Sequence, residues 1–332
     1  MMKKLIIILS LSLSISQTYP EFGSSETLDI VTWNIENFPK HNYTVDYVIE
    51  VVEQINVDII ALQEISGSSD FMSIIPNLEG WNGMYASWPG LAYLYNTNTV
   101  EVGNIYDIYE TENYWYVFPR SPYVMEVTYQ DTEFFIINNH LKCCGGSENE
   151  ERRRQASLLL EEYIETNLSD KNVILLGDLN DDITEGEDDN VFWNFIEDPA
   201  LYYFTDMNIA LGPSSNWSYP TWPSHLDHIL ISDELFDEFE NPNSKIETLK
   251  LDNYLNGWNE YDTFLSDHRP VMISLSLTML GDLNSDGIID ILDIILIVDI
   301  IINEGFNSIV DMNGDDIVNV LDLITVIDII IE

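Results

Sequence analysis

Asn172-Val-Ile-Leu-Leu-Gly-Asp-Leu-Asn180 is an apolar strand-like run that stops on Gly177, Asp178 and Asn180. The same tetrapeptide, Gly-Asp-Leu-Asn, recurs at 281–284 in different company. The first copy follows Val173 to Leu176, so its polar residues arrive at the end of a buried strand. The second opens a stretch in which acids recur at fixed offsets among isoleucines. That contrast divides the chain into a large unit over 25–278 and a small one over 280–332.

Outward from the first copy, short β-type runs alternate with helical stretches. Residues 28–33 and 58–63 read as buried strands, each ending on a polar residue. Between them 44–55 is helix-like, with Thr44 as its cap and Val45, Val48, Val52 and Ile55 at helical spacing. Further strands are expected over 93–95, 100–109, 123–129, 133–138, 226–231 and 271–277, with a long helix over 148–165. Helices between strands, with many hairpin-like neighbours, indicate a layered mixed α/β domain.

Composition narrows the function. The chain has 332 residues, 58 acidic against 12 basic, and a formal net charge of −46. At 45% hydrophobic it can bury a large core, which excludes wholesale disorder. So few basic residues exclude a protein that coats nucleic acid through many phosphate contacts. Phosphate chemistry, if present, must be local and carried by a metal ion. Lys3 and Lys4 ahead of the apolar run 5–15, with Ser14 and Ser16 at the small-residue positions, predict a cleaved export leader over 1–16. The run is too short to span a bilayer, so a secreted product without a transmembrane segment is expected. Cys143 and Cys144 are adjacent, and neighbouring Cα atoms lie closer than a relaxed disulfide wants. They read as loop packing or as a strained redox bridge, not as a staple.

In the C-terminal unit, Asp282, Asn284, Asp286, Asp290 and Asp293 stand at positions 1, 3, 5, 9 and 12 of a loop, with Ile288 offering its carbonyl at 7. Asp311, Asn313, Asp315, Asn319 and Asp322 repeat the pattern 29 residues on, with Ile317 at 7. This is the oxygen spacing of an EF-hand-type calcium loop with Asp at the twelfth position. The second loop departs at its sixth position, where Asp316 replaces glycine. Each loop lacks an entering helix and is trailed by an apolar one, and in this the unit resembles a type I dockerin. The resemblance implies a small all-α domain, two Ca²⁺ ions and a protein partner of the cohesin kind. The helix near 291–302 is apolar on nearly every face. It is read either as buried between its twin and the large domain or as a partner-binding face.

Six polar clusters stand at the ends of strand-like runs in order: Thr32 to Asn37, Gln63-Glu64, Asn138-Asn139-His140 and Gly177 to Asn180 at the close of a run, and Ser224 to His228 and Ser266-Asp267-His268-Arg269 at the opening of one. Taken together they resemble the endonuclease/exonuclease/phosphatase superfamily, which includes deoxyribonuclease I and sphingomyelinases. The resemblance implies a four-layer α/β sandwich, two packed mixed sheets flanked by helices. It also implies metal-dependent phosphodiester hydrolysis, with Mg²⁺ or Mn²⁺ held by Glu64, Asn34 and Asp267. Asp178 would orient or deprotonate the attacking water and Asn180 would hold it. His268 would meet the scissile phosphate, its tautomer fixed by Asp227, and His140 would act as general acid. Arg120 and Tyr93, with Asn34, would contact substrate. His225 and His228 read as structural, and Arg152, Arg153 and Arg154 mainly as a solvated face. The leading expectation is a secreted nuclease acting on DNA or RNA. A phospholipid or small-phosphoester hydrolase and a non-catalytic calcium-dependent binding module are the alternatives.

Overall fold

The structure is a computed structural model that describes residues 18–331 apart from 88–89, 278, 285–287, 304 and 316. The expected leader over 1–16, and Asp286 and Asp316 of the C-terminal loops, lie outside the described residues.

The large unit holds two six-stranded mixed sheets. The first contains β1 (Leu28–Phe38), β2 (Ile59–Ile65), β3 (Trp81–Tyr85), β4 (Gly90–Asn96), and two late strands. The second contains β5 (Glu101–Asp107), β6 (Tyr123–Tyr129), β7 (Thr132–His140), β8 (Asn172–Asp178), β9 (Tyr202–Phe204) and β10 (Asp227–Ser232). The two late strands are β11 (Lys245–Thr248) and β12 (Val271–Leu275), and they close the first sheet in the order β11-β12-β1-β2-β4-β3. The second runs β5-β6-β7-β8-β10-β9. Each sheet has a parallel pair at its centre, β1 with β2 and β7 with β8, and antiparallel strands outside it.

Alternation along the central strands explains the layering. Ile30, Ile59, Ile136 and Ile174 join one buried cluster between the sheets. Their neighbours Val31 and Ile60 face outward against α1 (Thr44–Val52) and α2 (Ser68–Ile74). On the far side Ile137 and Leu175 pack on α3 (Ser147–Asn167), which buries Arg153, Ala156, Ser157, Leu160 and Ile164 at helical spacing. Three apolar interfaces between helix, sheet, sheet and helix make the expected four layers. Short helices α4 (Trp193–Ile196), α5 (Met207–Ala210), α6 (Phe236–Glu240) and α7 (Trp258–Phe264) complete the unit.

Two local expectations change. Thr44 does not cap α1 with its side chain; Tyr43 is the cap residue, and Thr44 Oγ1 accepts from the His41 N–H at 2.9 Å. The edge strands β3, β9 and β11 were not expected, because short edge segments carry little periodicity.

The C-terminal unit has α8 (Ile291–Ile302) and α9 (Val320–Ile331) packed on each other around Ile297, Val310, Val318 and Val326. Gly281 N–H donates to Ile309 O at 2.7 Å, tying the start of one repeat to the end of the connector. The apolar helices are not enclosed: Ile291 and Ile295 are 61% and 59% exposed, and Val320 and Ile324 are exposed at the equivalent places.

Asp29 and Asp58, both buried, meet where β1 begins and β2 is about to. The Asp29 N–H donates to Asp58 Oδ2 at 2.8 Å, while Asp29 itself accepts from Ser274, Thr27 and the Ser24 N–H. Burial raises both carboxyls, Asp58 to about 6. A raised folded pKa gives stability that is present at low pH and lost as pH rises through about 6. Asp58→Asn is therefore expected to gain up to about 2 kcal/mol over wild type at neutral pH. Urea denaturation should show the two curves converging near pH 4; a constant offset across pH would sink this account.

Candidate active site

Strand direction brings the six clusters to one end of the sandwich. The parallel pairs point the ends of β1, β2, β7 and β8 the same way, delivering Asn34, Glu64, His140 and Asp178. β10 runs against β8, so its first residue, Asp227, sits in register with Asp178, the last of β8. β12 runs against β1 with Val271 opposite Thr32, which places His268 just beyond the β1 end.

Local irregularities then aim the side chains. Pairing of β2 with β4 slips between Gln63 and Ile65, and Glu64 lies in that bulge at φ +64. The bulge turns a carboxylate that strict alternation would send to the outer face into the cleft. Gly177, at φ +140, lets β7 and β8 approach: a Cβ there would sit 1.9 Å from Asn139 O. No other residue fits the position directly before Asp178.

Asp178 is the hub. Its Oδ2 accepts from Asn34 Nδ2 at 2.8 Å across the two sheets, and its Oδ1 from the Asn180 N–H at 3.1 Å. His140 Nε2 lies 3.5 Å from Asp178 Oδ2 and 3.9 Å from Glu64 Oε1. Glu64 Oε2 accepts from the Asn37 N–H at 2.8 Å. His268 Nδ1 meets Asp227 Oδ2 at 2.7 Å, and its Nε2 lies 4.0 Å from Asp267 Oδ1. Ser266 Oγ donates to Asn34 O at 2.6 Å and accepts from the His268 N–H at 2.9 Å, locking the last cluster onto β1. Tyr261 adds a hydrogen bond to His268 O at 2.5 Å. Asn34, Glu64, His140, Asp178, Asp267 and His268 line a cleft of about 690 Å³, together with Trp217, Tyr219, Trp222, Cys143 and Cys144.

Charge separates the groups by protonation. Burial raises Asp178 to about 7, reinforced by Asp227 and Glu64 and opposed by His268. Burial also raises Asp267 to about 6. For His268 burial works against the charged form, but Asp227, Asp178 and Asp267 overcome it and push the imidazole up to about 10. His140 goes the other way: burial first, then Arg120, His268 and Lys142, hold it well below the usual histidine range. Burial and these cations favour the neutral ring at His140, whereas the carboxylates around His268 favour its protonated form.

Other expected residues fall in varied places. Arg120 lies over Gly90, where an added Cβ would be 3.2 Å from its side chain, and acts on His140 through its charge. Asn180 Nδ2 reaches Leu141 O at 3.4 Å. Tyr93 does not line the cleft. It is fully buried between the sheets, its hydroxyl 2.8 Å from Tyr123 O and 2.9 Å from Ile136 O, and it accepts from the Asn138 N–H. A β4 residue at that register faces the inner core. Arg153 is not on a solvated face either: it is buried, with Nη1 on Lys142 O and Cys144 O and Nε on Asp181.

Residues 31–268 match the Endonuclease/Exonuclease/phosphatase family. The chain belongs to that family of phosphoester hydrolases. Solved structures of the same fold include D. rerio TDP2 complexed with a single-strand DNA product, at 14% identity and TM-score 0.57 over 75% of this chain and 98% of that one. The human Nocturnin catalytic domain with bound sulfate is 18% identical at TM-score 0.55, covering 76% and 94%. A family protein from Bacteroides thetaiotaomicron is 16% identical at TM-score 0.52, covering 75% and 97%. No curated protein sequence matches the chain.

Family members use divalent metals, and the donors here suit one. Asp178, Asp227 and His268 place ligand atoms within 4.8 Å of one another, but Asp227 is already committed to His268. Glu64, Asn34 and Asp267 offer oxygen donors that could hold a hard cation. Glu36, Glu64, Asp178 and Asp267 line one cleft, and their acidic neighbours add to the burial that raises Asp178 and Asp267, against the lowering effect of His268. A bound cation would relieve that repulsion.

Sequence reading missed Asp206. His225 and His228 are structural as expected, and Asp206 is why: its Oδ2 lies 2.6 Å from His228 Nδ1 and 3.0 Å from His225 Nε2. His228 Nε2 faces Asp181 O at 3.0 Å, a pure acceptor, so both ring nitrogens donate and His228 is an imidazolium. Despite burial, His228 and His225 hold the Asp206 carboxyl well below its usual range. His225 Nδ1 accepts from the Ser218 N–H, and Ser218 Oγ accepts from the Asp227 N–H, so the network braces the His268 partner. No residue spacing announces such a group, since Asp206 is remote in sequence. Asp206→Asn leaves a buried imidazolium without its counter-charge. It should cost on the order of 3–5 kcal/mol, read by urea denaturation near pH 6 where both partners are charged. A cost under about 1 kcal/mol would mean the pair is not coupled.

Proposed function

We propose that the protein is a secreted, divalent-metal-dependent phosphodiesterase that cleaves DNA or RNA, carrying a calcium-binding, dockerin-like tail. The observation that carries the catalytic part is the pairing in one cleft of a carboxyl near 7, Asp178, with an imidazolium near 10, His268. Two titratable groups pushed apart in this way divide base and acid roles at neutral pH.

Mg²⁺ or Mn²⁺ seated on Glu64, Asn34 and Asp267 would supply charge neutralisation at the phosphoryl oxygens. Asp178, its second oxygen steadied by the Asn180 N–H, accepts the proton of an attacking water. The Asn180 side chain helps place that water. His268, gripped at Nδ1 by Asp227, presents its Nε2 proton to the phosphate and then to the departing oxygen. His140 donates a hydrogen bond as a neutral ring, and Arg120 extends the positive field beside it. Trp217, Tyr219 and Trp222 offer flat apolar faces next to this acidic centre, and the Tyr219 ring lies 4.8 Å from the His268 ring. Such faces suit nucleobases, which favours nucleic acid over a lipid headgroup.

For the tail, no Lys, Arg or His follows Arg269 in the sequence. Asp293 and Asp322 are nevertheless fully buried, and each accepts the N–H of the residue three before it, Asp290 and Asn319, at 2.9 and 2.8 Å. Asp282 and Asp311 are also buried. Carboxylates drawn inward with no basic residue in the unit fit two Ca²⁺ ions. The remaining described donors of the two loops, Asn284, Ile288 and Asp290, then Asn313, Asp315, Ile317 and Asn319, would complete them. The exposed pair Ile291 and Ile295, matched by Val320 and Ile324, would meet a cohesin-like protein.

Plasmid DNA, RNA and sphingomyelin offered to the purified chain with Mg²⁺ would test the catalytic part. Nucleic-acid cleavage abolished by EDTA is expected, falling about 10²–10⁴-fold in Asp178→Asn and His268→Ala. The rate should climb as pH rises through about 7, because Asp178 works ionised, and this limb should move to lower pH as Mg²⁺ increases. Cleavage of sphingomyelin alone would replace the nuclease reading with the lipid one, and silence on all three would favour a non-catalytic module. Separately, Ca²⁺ should raise the melting temperature of the tail, and Asp293→Ala with Asp322→Ala should remove the effect.

A further inference from the structure

Lys142-Cys143-Cys144-Gly145-Gly146 forms the turn from β7 to α3, and both cysteines line the cleft with His140 and Asp178. They are free thiols. Their Sγ atoms are 2.8 Å apart, less than about 1 Å beyond a disulfide bond. The Lys142 ammonium lies 3.8 Å from Cys143 Sγ, and Cys144 is exposed to solvent. Cys144 sits at φ +76, a conformation uncommon outside glycine.

The turn is also bolted to the catalytic strand end. Buried Arg153 holds Lys142 O at 2.7 Å and Cys144 O at 3.0 Å, and the same guanidinium holds Asp181 at 2.8 Å. The Leu141 N–H donates to Asp178 O at 3.0 Å, and Asn180 Nδ2 donates to Leu141 O. A change in the Cys143–Cys144 peptide therefore has a route to Asp181 through Arg153 and to Asp178 and Asn180 through Leu141.

We propose that Cys143 and Cys144 are a redox modification site, closed into a vicinal disulfide by exchange with small-molecule disulfides and slowing turnover by shifting the cleft rim. Cys143, beside the Lys142 ammonium, loses its proton to solvent and attacks one sulfur of the small disulfide, releasing a small thiolate that takes up a proton. Cys144 then loses its proton to solvent and attacks Cys143 Sγ of the mixed disulfide, releasing the second. Two protein thiols are oxidised and one small disulfide is reduced to two thiols. Adjacent Cα atoms, about 3.8 Å apart, are nearer than the 4.4–6.8 Å of relaxed disulfides, so the ring closes only by turning the intervening peptide. Arg153 holds the carbonyls on either side of that peptide and passes the movement on. Strain also keeps the bond readily reducible, as a reversible device requires.

The effect on turnover rests on the hydrolase reading above; bond formation does not. The full chain treated with oxidised glutathione should yield a peptide lighter by two hydrogens at Cys143–Cys144, with no disulfide between chains and the thiols returned by dithiothreitol. A persistent glutathione adduct, a disulfide-linked dimer or two intact thiols would overturn the proposal. Hydrogen exchange at the Leu141 and Asn180 amides should quicken in the oxidised form, and unchanged exchange would overturn the coupling to the cleft. Hydrolysis of bis(p-nitrophenyl) phosphate should fall at least about tenfold on oxidation. Cys143→Ser and Cys144→Ser should keep the reduced rate and lose the response; equal rates in both wild-type forms would overturn the switch. No hydrolysis by the reduced protein would count against the hydrolase reading, leaving the mass and exchange results to decide the redox site.

Discussion

A thin line of hydrogen bonds crosses an otherwise apolar interface between the two sheets, and the site depends on it. Gln63 Nε2 donates to Asn138 Oδ1 at 2.8 Å, and Asn138 Nδ2 reaches back to Leu62 O and Ala92 O. Tyr93 bridges β4 to β6 and β7, and Asn34 closes the line on Asp178. Apolar packing is non-directional and lets two flat sheets settle in several registers. Buried polar groups do not, because each one left unpaired costs roughly 1–3 kcal/mol. The observed register pairs Gln63 Nε2, both ends of the Asn138 amide and the Tyr93 hydroxyl, and it sets Asp178 against Asn34.

The same constraint gives the cleft its electrostatics. Asp178 cannot leave the interface to seek water, so its carboxyl carries the burden of burial and of its acidic neighbours. His268 is held by Asp227, which the Asp206, His225 and Ser218 network braces from behind. His140 has no carboxylate on its Nδ1, which is buried without a partner. The two imidazoles are thus pushed in opposite directions, His268 up by its committed anion and His140 down by burial first and then by the charges of Arg120, His268 and Lys142.

Legibility varied with the kind of signal. Central strands and α3 were readable, since apolar periodicity is local. The six polar clusters were readable because each sits at one end of a strand, where a side chain leaves the core. Tyr93 was misplaced because a loose match in spacing does not say which face of β4 it occupies. Arg153 was misread for a related reason: a charged residue beside glutamates resembles a solvated helix face until the turn that folds over it is known. The repeat in the C-terminal unit was visible from its 29-residue offset, whereas the exposure of its helices was not.

The amino-acid sequence by itself determined the central strands and the long helix, where polar groups would emerge, and that phosphate chemistry here could not come from a basic surface. These follow from periodicity, residue type and net charge, which need no partner in space. Only the tertiary structure decided which clusters meet and in what protonation state. Asp206 and His228, or Asn34 and Asp178, are far apart in the chain, and their coupling exists only where folding removes water from between them.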